Sequence, residues 1–584
     1  MSYYHNNQGQ NFDWETHFEK SGYLETPSYN TTIEYFTRLA DKSPFAKIVN
    51  FGVSHQGRDL KCLICSSTKE IQPKKAKRSG RAIIFIQAGI HAGEIEGKDA
   101  SMLLLRDIIV TREKEHLLEN TILVVIPCLN PDGHERMGAN NRPNQLGPTL
   151  SGWRTNALNI DLNRDYTKAD SAEIKSLLRL WSIWTPDFYI DTHTTNGLDY
   201  QYHLSYGIER HHNLDPRLVQ FGNEMMIPQV IKGVEDKGFL ISPYIEPVSE
   251  NITDGITSWS YEPRYSTGYA AAQNRLGLLV EAHSLKPYKD RVFATKAILE
   301  ETIEYINTNF RELKDLNRFA DKRAVQKFFM EKKRYPILLE GNSENEPFLF
   351  KGYKTSETES IITGKKVIQY TDEKTEFEIP HYNKTEVIKT VKVPDAYLIP
   401  AELKWVPRLL KLHGVIFKVL DRDITCEVEK YMFTNVKFKN YPSEGKMQAD
   451  FEVIAFQDTV KIQRGSYMVP LSQRTIRVLL NLLEPLGPDS LARWGYFNSC
   501  MERKEYVEDF VFEPIAREML EKDDRLREEF YFTLEENPEF KADSTARLDF
   551  FYSRSEFADK NENVYPVMRL FEAKRYFSYF DRVQ

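Results

Sequence analysis

The sequence predicts an α/β domain with a mixed, largely parallel sheet flanked by helices, followed by a β-rich C-terminal region that also contains helices. Between residues 45 and 285, apolar β-branched runs of strand length alternate with longer amphipathic stretches. This alternation is typical of a largely parallel sheet. From residue 312 onward the chain changes to a charged helical connector and then to threonine- and lysine-rich strand segments. The change predicts a first domain over residues 15–315 and one or more accessory domains over residues 316–584.

The composition is that of an ordinary folded protein. The chain has 584 residues, of which 41% are hydrophobic, and this is enough for two or more domains with full cores. Its net charge of -7 provides no basic footprint for nucleic acid. It also lacks an apolar run of about 18 residues that could span a bilayer. We therefore expect neither a nucleic-acid partner nor a transmembrane segment, while the oligomeric state stays open.

The cysteines and the N-terminal sequence bear on the cellular compartment. Five cysteines are few and odd in number, so the fold is not expected to depend on a disulfide framework. Cys62 and Cys65 form a C-x-x-C without a second pair, which favours a structural role for both thiols. The N-terminus shows no basic stretch followed by an apolar one. This predicts a cytoplasmic chain as written, or a periplasmic or secreted one if a leader was trimmed.

Polar residues follow or end four of the predicted strands. The strand segments are RAIIFIQAG, TILVVIPCLN, PDFYIDTH and LGLLVEAHS. The associated polar residues are, in order, His91 with Glu94, the NPDG segment at 130–133, His193, and Glu281. In open α/β sheets, ligands bind beyond the carboxyl ends of the strands. We therefore expect these groups to converge on one crevice.

The spacing His-x-x-Glu occurs twice, and the flanking sequence separates the two copies. With 13 histidines in the chain, roughly one such pair is expected by chance. His91 and Glu94 follow a predicted strand and open the helical segment EIEGKDASMLLLRDIIV. His116 and Glu119 precede a strand and should lie at the opposite edge of the sheet. The first copy is therefore predicted to bind metal, and the second to be a solvated helix end.

A catalytic zinc ion needs a third protein ligand and an open position for water. His193, at the end of the YIDTH strand, is the best candidate for that ligand. His211 and His212, in IERHHNLDP, have the character of a polar loop instead. The predicted metal site is therefore formed by His91, Glu94 and His193.

The ordered set of His91-x-x-Glu94, NPDG, RTNALNIDLNRDY (154–166), His193 and Glu281 resembles the zinc carboxypeptidases of the M14 type. The resemblance covers roughly the first 315 residues. Within that family, HAGEIEG and LLVEAHSLKPYKDRV look most like a bacterial subgroup. The resemblance implies a zinc carboxypeptidase-like fold, one zinc ion per chain and a peptide substrate.

The resemblance also implies roles for four residues. His91, Glu94 and His193 match the zinc ligands, and Glu281 matches the general base and acid. The chemistry is consistent, because a carboxylate beside the metal can take a proton from the attacking water and deliver it to the leaving amine. Glu281 lies within an apolar run, where burial should raise its pKa toward neutrality.

Four further positions match the family in the segment 154–166. Arg154 matches the arginine that stabilises the oxyanion, and Asn163 with Arg164 matches the pair that holds the terminal carboxylate of the substrate. A guanidinium group suits a carboxylate because two parallel N–H donors meet two oxygens. Asp161 matches the aspartate that accepts a hydrogen bond from the far nitrogen of His91 and fixes its tautomer.

Two features of the substrate cleft are less sharply defined. The mobile tyrosine of the family could be Tyr261, Tyr265 or Tyr269, of which we choose Tyr265. Arg264 and Ser266 are candidates for the specificity pocket. Arg264 could favour an acidic side chain, or it could be a salt-bridged loop residue.

Three functions are compatible with this sequence. The leading one is a zinc metallocarboxypeptidase that hydrolyses C-terminal peptide bonds. A second is a cell-wall peptide hydrolase or amidase that uses the same site on murein. A third, of another class, is a catalytically silent zinc-bearing binding protein. Glu281, Arg154 and the Asn163–Arg164 pair argue against the third, because a binding protein has no need of a general base.

Overall fold

A computed structural model describes residues 13–69, 71–258 and 260–582 of the chain. The first 12 residues, which bear on the prediction about a secretory leader, lie outside this described part. Within it, no helix is both long enough and apolar enough to cross a membrane.

The first half of the chain builds an eight-stranded mixed sheet. Its strands are β1 (Ala46–Val53), β2 (Asp59–Ser66), β3 (Ala82–Gln87), β4 (Thr121–Ile126), β5 (Phe188–Thr194), β6 (Leu204–Ile208), β7 (Ile241–Pro243) and β10 (Leu276–Ala282). Two short strands of this half, β8 (Glu246–Pro247) and β9 (Ile256–Thr257), belong to another sheet. The strand order in the sheet is β1-β2-β4-β3-β5-β10-β6-β7. The four central strands β4, β3, β5 and β10 are parallel, and the antiparallel pairs lie toward the edges. This confirms the predicted fold class.

Helices cover both faces of this sheet. They are α1 (His17–Lys20), α2 (Tyr29–Lys42), α3 (Pro73–Ser79), α4 (Glu96–Ile109), α5 (Pro131–Glu135), α6 (Ala172–Trp184), α7 (Pro216–Gln220), α8 (Ile227–Asp236), α9 (Ser266–Ala272) and α10 (Tyr288–Ala324). Apolar residues of α2, α4, α8 and α10 pack on one face, and those of α6 and α9 pack on the other. The central strands are buried on both sides, as expected for a parallel sheet.

The helix predicted to open at His91 begins later, at Glu96. Residues 91–94 instead form a turn closed by a hydrogen bond from the Glu94 N–H to the His91 carbonyl oxygen, 2.9 Å. Helix α4 then packs directly on β5. The approach is so close that a Cβ atom added at Gly97 would lie 1.9 Å from the Thr192 side-chain oxygen. This close approach requires glycine, and it brings the turn next to the end of β5.

The second half is β-rich with helices at its end, as predicted. Its described strands are β11 (Tyr335–Gly341), β12 (Glu346–Glu359), β13 (Lys366–Tyr382), β14 (Thr385–Val391), β15 (Ala396–Ile399), β16 (Lys418–Leu420), β17 (Ile424–Phe438), β18 (Ala449–Ile462), β19 (Tyr467–Pro470), β20 (Met568–Leu570) and β21 (Phe580–Arg582). The helices are α11 (Trp405–Leu412), α12 (Ile476–Leu483), α13 (Asp509–Lys522), α14 (Asp524–Glu536), α15 (Pro538–Ala542) and α16 (Ser544–Tyr552).

The two halves are joined by a helix, by a common hydrophobic core and by a strand pairing. Helix α10 runs through residue 315, where the sequence predicts a boundary. One hydrophobic core contains Trp181 and Tyr269 of the first half together with Leu410 and Ile476 of the second. Strand β13 also pairs with β9. The division at 315/316 therefore stays a prediction, and any boundary there lies within a continuous helix.

Candidate metal centre and cleft

Three side chains converge at the carboxyl ends of β3 and β5. His91 and Glu94 lie in the turn after β3, and His193 lies near the end of β5. The Glu94 Oε2 atom is 3.1 Å from His91 Nδ1 and 3.0 Å from His193 Nδ1. The two Nδ1 atoms are 3.2 Å apart, and all three residues are buried. The three predicted metal ligands are thus brought together.

This group fits zinc by donor type and by spacing. Two imidazole nitrogens and one carboxylate oxygen are the ligand set of many catalytic zinc sites. Ligand atoms at about 2.0 Å from a tetrahedral zinc ion are separated from each other by roughly 3.3 Å. The separations of 3.0 to 3.2 Å between the three donor atoms lie close to that value. The site therefore needs little rearrangement to hold the ion.

A carboxylate orients each histidine of the group. The His91 Nε2–H donates to Asp161 Oδ1 at 3.0 Å, as the sequence predicts. The His193 Nε2–H donates to Asp191 Oδ2 at 2.8 Å, a contact that the sequence analysis missed. Both bonds place the proton on Nε2 and leave the Nδ1 lone pairs free for a metal ion. Asp191 could have been found, because residues two apart on a strand point to the same face.

The second oxygen of Glu94 is held by arginine. Arg142 Nη2 donates to Glu94 Oε1 at 2.8 Å, and Arg154 Nη1 lies 3.5 Å from the same oxygen. Although burial opposes the shift, the neighbouring His91 and the positive charge of Arg142 hold the pKa of Glu94 well below its usual range. Glu94 is therefore a carboxylate, which is the form that binds metal. Arg142 could not be predicted from the sequence, because it lies in a loop without a recognisable motif.

Glu281 lies beside the three-residue group. In the parallel pairing of β10 with β5, Glu281 is directly opposite His193. Only 8% of Glu281 is exposed, and burial raises its pKa to about 7. A carboxyl group with a pKa near neutrality can both accept and return a proton at physiological pH.

The arginine and asparagine side chains predicted to bind substrate lie around the same cleft. Arg154 donates to Asp161 Oδ2 through Nε and Nη2, at 3.2 and 3.0 Å. Arg164 donates to the Asn163 carbonyl oxygen at 2.9 Å and lies over the Tyr265 ring, with its guanidinium carbon 4.6 Å from the ring centroid. The Asn163 side-chain oxygen accepts from the Ser266 N–H at 2.9 Å. Each side chain is therefore held in place by neighbours.

The three candidate tyrosines occupy different environments. Tyr265 and Tyr261 line the cleft, with their ring centroids 6.3 Å apart. Tyr269 is 1% exposed and its hydroxyl group lies 3.0 Å from His413 Nδ1, so it belongs to the core. Tyr265 remains our choice as the mobile tyrosine.

Arg264 does not line the cleft. Its guanidinium group pairs with Asp489 at 2.7 Å and with Glu262 at 3.3 Å. The structure therefore agrees with the salt-bridged loop residue, one of the two interpretations left open by the sequence. Ser266, the other candidate for the specificity pocket, does line the cleft.

The cleft has a volume of about 240 Å³. Its wall includes side chains that the sequence analysis did not single out, namely Thr194, Thr195, Asn196, Tyr244, Glu246, Thr267 and Leu279. Leu279 precedes Glu281 by two residues on β10, so the strand alternation could have indicated it. Tyr244 and Glu246 carry no such signal.

The second half of the chain supports the site from outside. Glu444 accepts a hydrogen bond from the Asp161 N–H at 2.9 Å, and Asp489 accepts one from the Arg264 N–H at 2.6 Å. Both contacts bridge more than 200 positions in the sequence. They give the β-rich region a direct part in positioning the loops around the cleft.

Other motifs lie away from the cleft. His116 is 46% exposed and pairs with Glu304. His211 is buried and contacts Thr385 rather than the metal ligands. Within NPDG, Asn130 caps α5 and Asp132 holds Ser54 and Arg58. NPDG therefore supports the sheet edge without lining the cleft.

Known proteins with similar sequences are carboxypeptidases. Residues 32–194 match the family model described as zinc carboxypeptidase. The chain is 23% identical over 499 residues to Carboxypeptidase 2 of Trichophyton equinum, covering 80% of this chain and 84% of that protein. It is 30% identical over 149 residues to Carboxypeptidase Z of Gallus gallus, covering 24% of this chain and 21% of that protein. Because these relatives are fungal and avian, the expected bacterial subgroup is not confirmed.

A solved structure also resembles the chain. The metallo-carboxypeptidase from Pseudomonas aeruginosa, in complex with (2-guanidinoethylmercapto)succinic acid, is 18% identical with a TM-score of 0.38. The alignment covers 50% of this chain and 71% of that one.

Proposed function

We propose that this chain, a zinc metallocarboxypeptidase, has its active site in the cleft lined by Glu281 and by the group His91, Glu94 and His193. We propose further that it removes residues one at a time from the free C-termini of peptides. The observation that carries the assignment is the placement of Glu281 directly opposite His193, in the cleft that the three converging donors also line.

The proposed chemistry divides between the metal and the protein. A zinc ion held by His91, Glu94 and His193 supplies Lewis acidity to the scissile carbonyl group and to water. Glu281 takes the proton of the attacking water on its carboxylate and gives it to the nitrogen of the leaving amine. Its buried position removes competing solvent and keeps its pKa close to neutrality, which suits both transfers.

The arginines of the cleft stabilise negative charge on the substrate. Arg154, held by Asp161 and close to Glu94, would stabilise the charge that develops on the carbonyl oxygen. Arg164 and Asn163 would bind the free carboxylate at the end of the substrate. Arg164 is suited to this because 31% of its side chain is exposed and it has no ion pair shorter than 3.9 Å among the described residues.

The free carboxylate provides the sharpest test. Purified protein is incubated with a library of peptides that carry free C-termini and with matched C-terminal amides, and the products are followed by mass spectrometry. We expect sequential shortening of the free peptides and resistance of the amides. An amide lacks the charge and brings an extra N–H toward donors that are already there. Arg164→Ala should raise KM for the free peptides by roughly 10- to 100-fold, whereas Arg78→Ala, at an exposed helix position, should not.

Three outcomes would contradict the proposal. Cleavage within chains, with indifference to amidation, would show an endopeptidase. Hydrolysis of muropeptides alone would show the cell-wall enzyme. Zinc binding without any turnover would show a binding protein.

A further inference from the structure

A second cavity, of about 410 Å³, lies at the other end of the sheet. Strand β6 is antiparallel to β10, with Ile208 opposite Leu278, so residues 210–216 follow β6 at the amino-terminal side of β10. Glu281 lies toward the carboxyl end of β10. The cavity is walled by residues 210–216, the end of α10 with the π-helical segment Val325–Met330, residues 342–344 and 383–385, and α12. It is therefore separate from the metal cleft and contacts both halves of the chain.

Its charged lining is mainly basic, in a chain whose net charge is -7. The basic side chains are Arg210, Arg323, Lys327, Lys384 and Arg477. The two acidic side chains are each paired, Asp215 with Arg323 at 3.6 Å and Glu344 with Lys384 at 3.1 Å. Within the described part of the chain, Arg210, Lys327 and Arg477 have no carboxylate within ion-pair distance. Three cations are thus left uncompensated in one cavity.

Arg477 is the clearest sign of a built site. It is 4% exposed, and buried guanidinium groups are almost always paired with an acid. Here it donates only to neutral oxygens, Nε to Asn274 Oδ1 and Nη1 to the Asn213 carbonyl oxygen, both at 2.9 Å. These bonds fix the orientation of the guanidinium group at the cavity wall. The charge itself lacks a counterion among the residues that the structure describes.

Lys327 lacks a carboxylate partner and His211 has an unpartnered nitrogen, both among the described residues of the same cavity. Desolvation and then the positive charges of Arg477 and Arg323 lower the pKa of Lys327, so the three cations crowd one another. His211 is 8% exposed and its Nδ1 contacts Thr385 at 3.1 Å, while its Nε2 has no hydrogen-bond partner among the described residues. An anion in the cavity would relieve the repulsion.

We propose that this cavity binds a small molecule through a phosphate group. Its volume falls within the roughly 300 to 1,000 Å³ of small-molecule sites. Guanidinium forks at Arg210 and Arg477 suit phosphate oxygens, and Lys327 adds a third positive charge matched to a dianion rather than to a single carboxylate. Because the lining comes from both halves of the chain, bound phosphate links the catalytic half to the β-rich half.

Inorganic phosphate serves as the probe. Its binding to the zinc-loaded full chain is measured by calorimetry and by thermal unfolding, with sodium chloride at matched ionic strength as the reference. We expect saturable binding that raises the unfolding temperature. Lys327→Gln and Arg210→Gln should each weaken binding about tenfold, since each removes one charged contact. Lys47→Gln removes the same charge from the far edge strand β1 and should leave the affinity unchanged.

A further variant distinguishes phosphate binding in the cavity from phosphate binding in the metal cleft. Arg164→Ala disturbs the cleft, and the cavity site should bind phosphate equally well in it. Lys327→Gln should also keep wild-type peptidase activity, which shows that it is folded. The proposal is overturned if phosphate binds no better than chloride, if Lys327→Gln and Arg210→Gln both keep wild-type affinity, or if binding is lost in Arg164→Ala.

Discussion

The two His-x-x-Glu segments share one backbone hydrogen bond and have opposite surroundings. In each, the glutamate N–H donates to the histidine carbonyl oxygen, at 2.9 Å for Glu94 and 3.0 Å for Glu119. The side chains of His91 and Glu94 are 5% and 2% exposed, and a second histidine and two arginines approach them. The His116 side chain is 46% exposed and pairs with Glu304 on the surface.

The difference lies in which end of a strand each turn occupies. His91 follows β3 at the edge where β5 and β10 bring His193 and Glu281. His116 precedes β4 and thus lies at the opposite edge, where neither residue is within reach. A spacing that gives the same turn twice becomes a candidate metal site only where the sheet supplies the third donor and the base.

The largest effect should come from removing a metal ligand. His193→Ala should lose bound zinc and reduce peptide hydrolysis to background, because two donors hold zinc much more weakly than three. His116→Ala, the matched change in the second copy, should keep both. The zinc content, measured by mass spectrometry, and the rate of peptide hydrolysis distinguish the two variants. Full zinc in His193→Ala would mean that another residue is the third ligand.

Replacing the base should separate chemistry from metal binding. Glu281→Gln should keep zinc and substrate affinity while kcat falls by roughly 100- to 10,000-fold, since an amide cannot accept the proton. The control is Glu119→Gln, which alters the carboxylate of the surface copy and should leave kcat unchanged. Wild-type turnover in Glu281→Gln would remove this residue from the mechanism.

The carboxylates behind the histidines should give a smaller effect. Asp161→Asn and Asp191→Asn should each weaken zinc affinity by roughly 10- to 100-fold, because the hydrogen bond that fixes each imidazole is impaired. Competition with a chelator measures the affinity. Glu304→Gln, which removes the partner of His116, serves as the control. Unchanged affinity in both aspartate variants would show that the imidazoles are oriented by packing alone.

The smallest effect is expected at Tyr265. The guanidinium carbons of Arg164 and Arg264 lie 4.6 and 4.8 Å from its ring centroid. Tyr265→Phe keeps this stacking and removes only the hydroxyl group, so kcat/KM should fall by no more than about tenfold, the cost of one neutral hydrogen bond. A larger loss in Tyr261→Phe than in Tyr265→Phe would assign the mobile role to Tyr261.

Most of the site residues that could be predicted from the sequence lie at the ends of strands. His91, Glu94, His193 and Glu281 follow or end apolar strands, and the parallel sheet brings such positions to one edge. Asp191 could have been predicted from the same strand, because it shares a strand face with His193. Arg142, Tyr244 and Glu246 could not be predicted, since loops and the two-residue strand β8 have no periodicity from which to predict them.

The contribution of the second half could not be predicted at all. Glu444 and Asp489 contact the loops of the cleft across more than 200 positions, and nothing in their local sequence indicates those partners. The basic cavity has the same origin, because Arg210, Lys327 and Arg477 come together only when both halves fold.

Anomalous diffraction at the zinc edge, from crystals of the full chain, tests the central claim most directly. We expect a zinc peak about 2.0 to 2.2 Å from His91 Nδ1, His193 Nδ1 and a Glu94 oxygen, and no peak beside His116 and Glu119. A zinc peak at His116 and Glu119, or zinc held without His193, would contradict it.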